Sequence, residues 1–411
     1  MEATKPQTIV VLVGALDTKG NEIGFIRDLL TGKGHRTTII DDGILGEPQI
    51  RADIEREEVA EAGGQSLAEL AKIAREGSDR AHVIEVMAEG VAKIVSDLHS
   101  REELDAIFSL GGSTGLALAI KAMKALPVHV PKLMLVTHLY PQIMGEMPMT
   151  IMVSPADIMG LNPITKRTLG CAAGAISGMV QTEPITKESQ PLIGITAAGI
   201  TTPGVMRLQS YLGAREYDTV VFHVNSETMD SFVQAGIIDG IIDFTPYELI
   251  HIFLTRDTPD RKSRLEAAGA LGIPQVFVPG GLDMIVLRVP CDRIPRKYKD
   301  RKIYLHGPFV TAVRTNTREL KRLAHIISDK VNRATGRVAV VFPLKGFSEI
   351  DKEGKPFYEP EINMVFISEL KRKLKENILV RELDYHVNDG RFVEEVGAIY
   401  NQIATERMTD G

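Results

Sequence analysis

Two doubly wound, Rossmann-like α/β domains with mainly parallel sheets are the fold this sequence predicts. Three observations carry the prediction. Short apolar, β-branched runs alternate along the chain with longer stretches of helical apolar spacing. Where run meets helix, the residues are glycine, serine and threonine, most densely in Asp105-Ala-Ile-Phe-Ser-Leu-Gly-Gly-Ser-Thr-Gly-Leu-Ala-Leu-Ala-Ile120. Finally, 411 residues exceed one ordinary core, and a polar, proline-containing stretch at Thr182 to Gln190 reads as a linker after which the same rhythm restarts. The expected domains are residues 1–184 and residues 185–411.

In order, Thr8 to Val13 is a β-branched strand, followed by the loop Gly14-Ala-Leu-Asp-Thr-Lys-Gly20 and a helix from Asn21 to Lys33. Thr37 to Ile40 forms a second strand ending at Asp41-Asp42-Gly43. Some dinucleotide folds hold a ribose on an acidic residue at that place. The first loop lacks their glycine pattern, so a solvated strand end is the preferred reading. Asp79 to His99 is amphipathic, with Ile84, Met87, Val91 and Leu98 inward. The run 105–110 then reads as a buried strand and Leu116 to Leu126 as a helix, with Ser113 or Thr114 as its N-cap. Gly111, Gly112 and Gly115 permit close approach to the main chain, and free N–H groups at the helix start favour an anion. The motif is neither a Walker sequence nor Gly-x-Gly-x-x-Gly, so a structural turn and a phosphate or carboxylate site both remain open. Lys132 to Val136 ends at Thr137-His138. In a parallel sheet the residues 14–19, 111–115 and Thr137 converge at the carboxyl edge.

Ser154 to Asn162 is turn-rich and leads into the helix Pro163 to Val180. After the linker come strands at Pro191 to Thr196, Thr219 to His223, Ile237 to Asp243 and Gln275 to Val278, with Val224 to Thr228 as a short loop. Val289 to Lys302, basic and proline-containing, reads as a surface excursion. Helices at Thr315 to Ala334 and Pro360 to Lys375 frame a strand at Arg337 to Phe342, and Ile378 to Leu383 is the last strand. The amphipathic tail Arg391 to Thr405 is suited to covering the sheet or a partner.

Composition excludes several classes. With 48 basic and 54 acidic residues the net charge is −6, and no basic face emerges, which argues against nucleic acid. No window resembles a membrane span and the first residues lack a signal-peptide core, so a cytoplasmic protein is expected. Cys171 and Cys291 have no ligand spacing and read as small, partly buried apolar side chains. Met144, Met147, Met149 and Met152 read as fillers of a core or interface.

Gly14-Ala-Leu-Asp-Thr-Lys-Gly-Asn-Glu22, Ser109 to Gly115, Val153 to Asn162, Thr201-Thr-Pro203, Asp283-Met284, Arg333 to Ser348 and Phe357-Tyr-Glu-Pro360 occur in that order. Together they resemble the bacterial, plant and fungal family represented by the N-terminal part of the tomato protein that resists tomato mosaic virus. The resemblance spans nearly the whole chain. It implies two Rossmann-like subdomains, ATP binding and a homodimer. Carried over by position, it implies a nucleotide site at Gly14, Asp17, Thr18, Lys19, Gly111, Gly112, Ser113 and Gly115, with Thr114 and Thr137 beside it at the same strand ends. Lys19 would meet a phosphate, and Asp17 or Glu22 a magnesium ion.

The second domain departs from the family pattern at Phe222 to Met229, at Gly204, at Gly281 to Arg288 and at His306-Gly-Pro308. Any chemistry relatives perform there is therefore changed or absent. His223, His306 and His386 lie near expected strand ends but in no metal-ligand spacing, with Asp283 and Glu248 at the same rim. Three functions follow as alternatives. The first is an ATP-binding protein with nucleotide at the first sheet's carboxyl edge, near the interdomain cleft. The second is an enzyme on a small carboxylate or phosphorylated metabolite, with His223, Asp283 and His386 as acid and base groups. The third is an inactive dimeric scaffold.

Overall fold

Val10 and Leu12 pack on one face of the first strand, Val11 and Val13 on the other, and all four are fully buried. A strand buried on both faces belongs in the middle of a parallel sheet covered by helices on each side. The computed structural model describes residues 7–138, 148–183, 189–223, 226–256 and 263–409. The chain divides into two compact units, Met1–Thr186 and Lys187–Gly411.

In the first unit β1 (Ile9–Gly14), β2 (Arg36–Asp41), β3 (Ala106–Gly111), β4 (Lys132–Val136) and β5 (Thr150–Val153) form a parallel sheet in the order β2-β1-β3-β4-β5. The helices Leu16–Gly32 and Pro163–Val180 cover the face carrying Val10, Leu12 and Phe108. Arg56–Gly63, Arg80–Ser100 and Ser113–Lys124 cover the face carrying Val11 and Val13. This is the doubly wound layout the alternating pattern predicts. Met149 and Met152 pack into the cores of the two faces, while Met144 and Met147 lie outside the described residues, as does 184–188 of the expected linker.

Two helix starts differ from expectation. The stretch 14–20 is not an open loop, because the helix begins at Leu16, which is fully buried, with its N–H held by Asp41 Oδ1 at 3.0 Å. Gly20 marks a crossing rather than a turn: a Cβ there would lie 2.9 Å from Gln49 Cβ. The helix after β3 is capped by Gly112, with Ser113 as its first residue.

The helices Arg56–Gly63 and Arg80–Ser100 cross almost backbone to backbone. A Cβ on Gly90 would sit 1.9 Å from the Val59 carbonyl oxygen, and one on Gly63 would sit 2.2 Å from that of Val86. Gly90→Ala must therefore wedge the pair apart, an overpacking that costs about 1–3 kcal/mol or more. Gly174→Ala, in a helix position with nothing within 4 Å, should instead stabilise by about 0.5–1 kcal/mol. Urea unfolding of the two variants checks the contrast, and equal midpoints would contradict the close crossing.

The second unit repeats the strand order. β6 (Leu192–Ala197), β7 (Asp218–His223), β8 (Gly240–Asp243), β9 (Gln275–Phe277), β13 (Val338–Pro343) and β14 (Leu379–Leu383) run parallel in the order β14-β13-β9-β8-β6-β7. Thr202–Gly213 and the tail helix Gly390–Thr409 pack on one face, the latter through Phe392, Val396 and Tyr400. Thr317–Val331 and Pro360–Lys373 pack on the other. Between β9 and β13 lies an unforeseen antiparallel sheet, β10 (Met284–Leu287), β12 (Val310–Arg314) and β11 (Ile303–Gly307), in that spatial order. The expected surface excursion at 289–302 is the connection from β10 to β11. Ile294 and Tyr298 are buried in the second core and Arg301 pairs with Glu319 at 2.7 Å. Residues 224–225 of the expected loop Val224 to Thr228 lie outside the described residues. Cys171 and Cys291, expected to be partly buried, are exposed free thiols. Among the described residues no helix is long and apolar enough to cross a membrane.

Candidate functional site

In the order β2-β1-β3-β4-β5 the chain moves from β1 outward to β2 and then back across to β3. The loops leaving β1 and β3 diverge there and open a crevice at the carboxyl edge. Each loop turns at once into a helix, with Ala15 capping the one after β1 and Gly112 the one after β3. The first N–H groups of a helix have no partner within it and carry its positive pole. Two such poles therefore meet in a cleft of about 360 Å³, whose lining includes Asp17, Lys19, Asp42, Arg80, Gly112 and Thr114.

A Cβ on Gly112 would meet nothing within 4 Å, so packing does not demand this glycine; its bareness keeps the cleft floor open. Gly111 is different, because a Cβ there would lie 3.2 Å from the Gly115 main chain. Gly14 is buried at the end of β1, under Ile23. Thr18 and Gly115 also line the cleft, together with the apolar Ile44, Leu45 and Leu118, while Thr137 and Glu22 do not. Ser113 begins the second helix.

Charge is divided across the cleft. Arg80, from the first turn of its helix, places Nη2 3.4 Å from Thr114 Oγ1. Lys19 donates from Nζ to the Ile158 carbonyl. Opposite lie carboxylates. Asp41 Oδ1 accepts the N–H groups of Leu16 at 3.0 Å and Gly43 at 2.8 Å, and Asp17 Oδ2 accepts that of Gly46 at 3.0 Å. Asp41 Oδ2 and Asp17 Oδ1 are buried with no hydrogen-bond partner among the described residues. The Asp41-Asp42 pair is thus not a solvated strand end: Asp41 is fully buried and Asp42 is 3% exposed. Burial, reinforced by the neighbouring Asp41 and Asp17, pushes the Asp42 carboxyl up to about 7, and burial raises that of Asp41 as well.

Of the two acids expected near a metal, Glu22 is 2% exposed and accepts the Gly160 N–H at 2.6 Å, away from the cleft lining. Asp17 alone faces the cleft. Among the described residues no group of three His, Cys, Asp or Glu side chains is placed to hold a metal ion by itself.

In the second unit Asp283 and His386 meet at Ser348. Its Oγ donates to Asp283 Oδ2 at 2.7 Å, and its carbonyl accepts from His386 Nε2 at 2.9 Å. His386 Nδ1 accepts the Asn388 N–H at 3.2 Å, so both ring nitrogens hold backbone groups, and burial lowers the ring's pKa. The ring therefore acts as a strut. Asp283 is fully buried, and burial together with Asp351 pushes its carboxyl up to about 7. His223 sits exposed at the end of the edge strand β7, and His306 lies on β11, outside the parallel sheet. At the carboxyl edge the loops pack on one another: a Cβ on Gly280 would lie 2.2 Å from the Phe244 carbonyl oxygen. Below that edge Arg264, 2% exposed on its side chain, joins Asp243 and Glu248, the latter at 2.5 Å.

Arg80 and Arg264 escape sequence reasoning. Arg80 looks like an ordinary first-turn residue of a helix and reaches Thr114 only through the fold.

Residues 8–184 match the N-terminal domain, and residues 190–404 the C-terminal domain, of the family described as Uncharacterised protein family (UPF0261). The chain belongs to that family. A UPF0261 protein of Clostridium tetani is 38% identical over 392 residues, covering 93% of this chain and 96% of the relative. A second UPF0261 protein, from Brucella melitensis, is 28% identical over 406 residues, covering 97% and 96%. The ToMV resistance protein Tm-1(GCR237) of Solanum lycopersicum is 32% identical over 327 residues, covering 76% of this chain but 43% of the tomato protein. The match to the tomato protein is thus a partial one.

Proposed function

We propose that the first unit of this UPF0261 protein binds ATP in the cleft between the carboxyl ends of β1 and β3. The observation supporting this reading is the helix N-terminus after β3 opening on the cleft, with Arg80 on the wall and a side-chain-free Gly112 on the floor. A triphosphate lies towards the terminus after Gly112, where N–H groups and the guanidinium replace its hydration. Lys19 exchanges the Ile158 carbonyl for a phosphate oxygen. What favours ATP over other phosphates is the resemblance read from the sequence motifs, which implies ATP binding. The cleft volume, towards the low end of the roughly 300–1,000 Å³ usual for ligand sites, favours a small phosphorylated or carboxylate metabolite as the second reading.

Calorimetric titration with ATP, ADP and inorganic triphosphate, with and without magnesium, tests the proposal. ATP should bind saturably. Arg80→Ala should weaken it about 10- to 100-fold, as expected for a lost charge-assisted hydrogen bond of about 1.5–3 kcal/mol. Gly112→Val should abolish binding at a cost of no more than about 1 kcal/mol in stability, the scale of a poorer N-cap, since no protein atom crowds a Cβ at that position. A folded protein that binds none of the three would overturn the reading.

A further inference from the structure

We propose that Asp42 accepts the ribose hydroxyls of the bound nucleotide, so that the cleft takes a ribonucleoside phosphate and rejects its 2′-deoxy counterpart. This rests on the nucleotide reading above and deepens it.

Asp42 follows directly on β2, one strand spacing from β1 and two from β3, so it stands roughly 10 Å across the sheet from the Gly112 helix terminus. It is 3% exposed and is one of the residues that line the cleft. Its surroundings offer acceptors. Asp41 is committed through Oδ1 to Leu16 and Gly43, and its buried Oδ2 has no partner among the described residues. Asp17 is committed through Oδ2 to Gly46, and its buried Oδ1 is likewise left over. This end of the cleft would repel a phosphate, whereas the far end, with the helix N-terminus after Gly112 and with Arg80, attracts one.

The cleft therefore has a polarity. An anion belongs at the β3 end and uncharged donors belong at the β2 end, about two strand spacings apart. A free phosphate satisfies one end only. A ribose diol linked to phosphates supplies both, with hydroxyl donors that suit a carboxylate and add no negative charge. A structural role does not account for Asp42, because a buried carboxylate beside two others opposes folding at neutral pH.

The test is calorimetric titration of the full chain with ATP, 2′-deoxyATP, 3′-deoxyATP and inorganic triphosphate, for the wild type and for Asp42→Ala. Melting curves verify that the variant is folded. In the wild type one or both deoxy nucleotides should bind about 10- to 100-fold more weakly than ATP, the loss of a hydrogen bond to a charged acceptor. In Asp42→Ala the three nucleotides should bind alike, and inorganic triphosphate should bind the variant no more weakly than the wild type. Equal binding of ATP and both deoxy forms by the wild type overturns this proposal while leaving the nucleotide site standing. So does discrimination that survives in Asp42→Ala. A folded wild type that binds neither triphosphate nor nucleotide overturns both.

Discussion

Arg264→Met should destabilise the second unit by about 3–5 kcal/mol at pH 7, the scale for removing one partner of a buried ion group. Arg264 gives Nε to Glu248 and Nη2 to Asp243, with all three side chains nearly inaccessible. Burial alone would lower the guanidinium's pKa, but Asp243, Glu248 and Asp230 override it and hold the charge more firmly. Asp243 also accepts Thr196 Oγ1 at 2.8 Å, and Thr196 in turn accepts the Thr245 N–H at 2.9 Å. The group therefore ties the ends of β6 and β8 together. Methionine would leave two buried carboxylates without a counter-charge. Urea unfolding followed by a signal from this unit measures the loss. Adding Asp243→Asn and Glu248→Gln to the variant should recover most of it, because the deficit is uncompensated charge rather than lost volume. A single variant within 1 kcal/mol of wild type would sink this account.

Asp42→Asn should do the opposite. The folded-state pKa of Asp42 is raised from 3.8 to about 7. Between those values the folded chain holds a proton that the unfolded chain releases, so this group's contribution to stability falls as pH rises. The slope is about 1.4 kcal/mol per pH unit, and the whole window amounts to roughly 4 kcal/mol. Below pH 4 both states are protonated and nothing is lost. Above pH 7 both are ionised and the loss is complete. Asparagine does not titrate. The variant should match wild type near pH 4 and exceed it by up to about 4 kcal/mol at pH 8, with the gap closing smoothly between. Paired denaturation curves at several pH values check this, and a constant difference would show that the carboxyl does not titrate in that window.

The fold was largely legible because its signal is local. Runs such as Ile9–Gly14 and Ala106–Gly111 are apolar on both faces, which only a covered parallel strand requires. What failed to be legible depends on contacts far apart in sequence. Gly14 and Gly20 bracket what looks like a loop, yet Gly20 serves the passage of Gln49 across a helix already begun at Leu16. Asp41-Asp42 looks like a water-facing strand end, and its burial follows from the return of the Gly43 to Gly46 segment over Asp17. The inserted antiparallel sheet was hidden because its strands have four or five residues and flank a basic, proline-containing stretch. At the candidate cleft, the glycine loop and Lys19 could be singled out from sequence. Arg80 could not, since it meets Thr114 only across 34 positions of chain.

The two thiols have a practical consequence. Cys171 lies on the helix Pro163–Val180 of the first unit and Cys291 in the second, both exposed, and they are the only cysteines in the sequence. The unaltered chain thus carries one attachment point for a fluorophore in each half. A donor and acceptor dye placed there would report through energy transfer whether adding ATP changes the spacing of the halves, with no engineered residue to confound the answer.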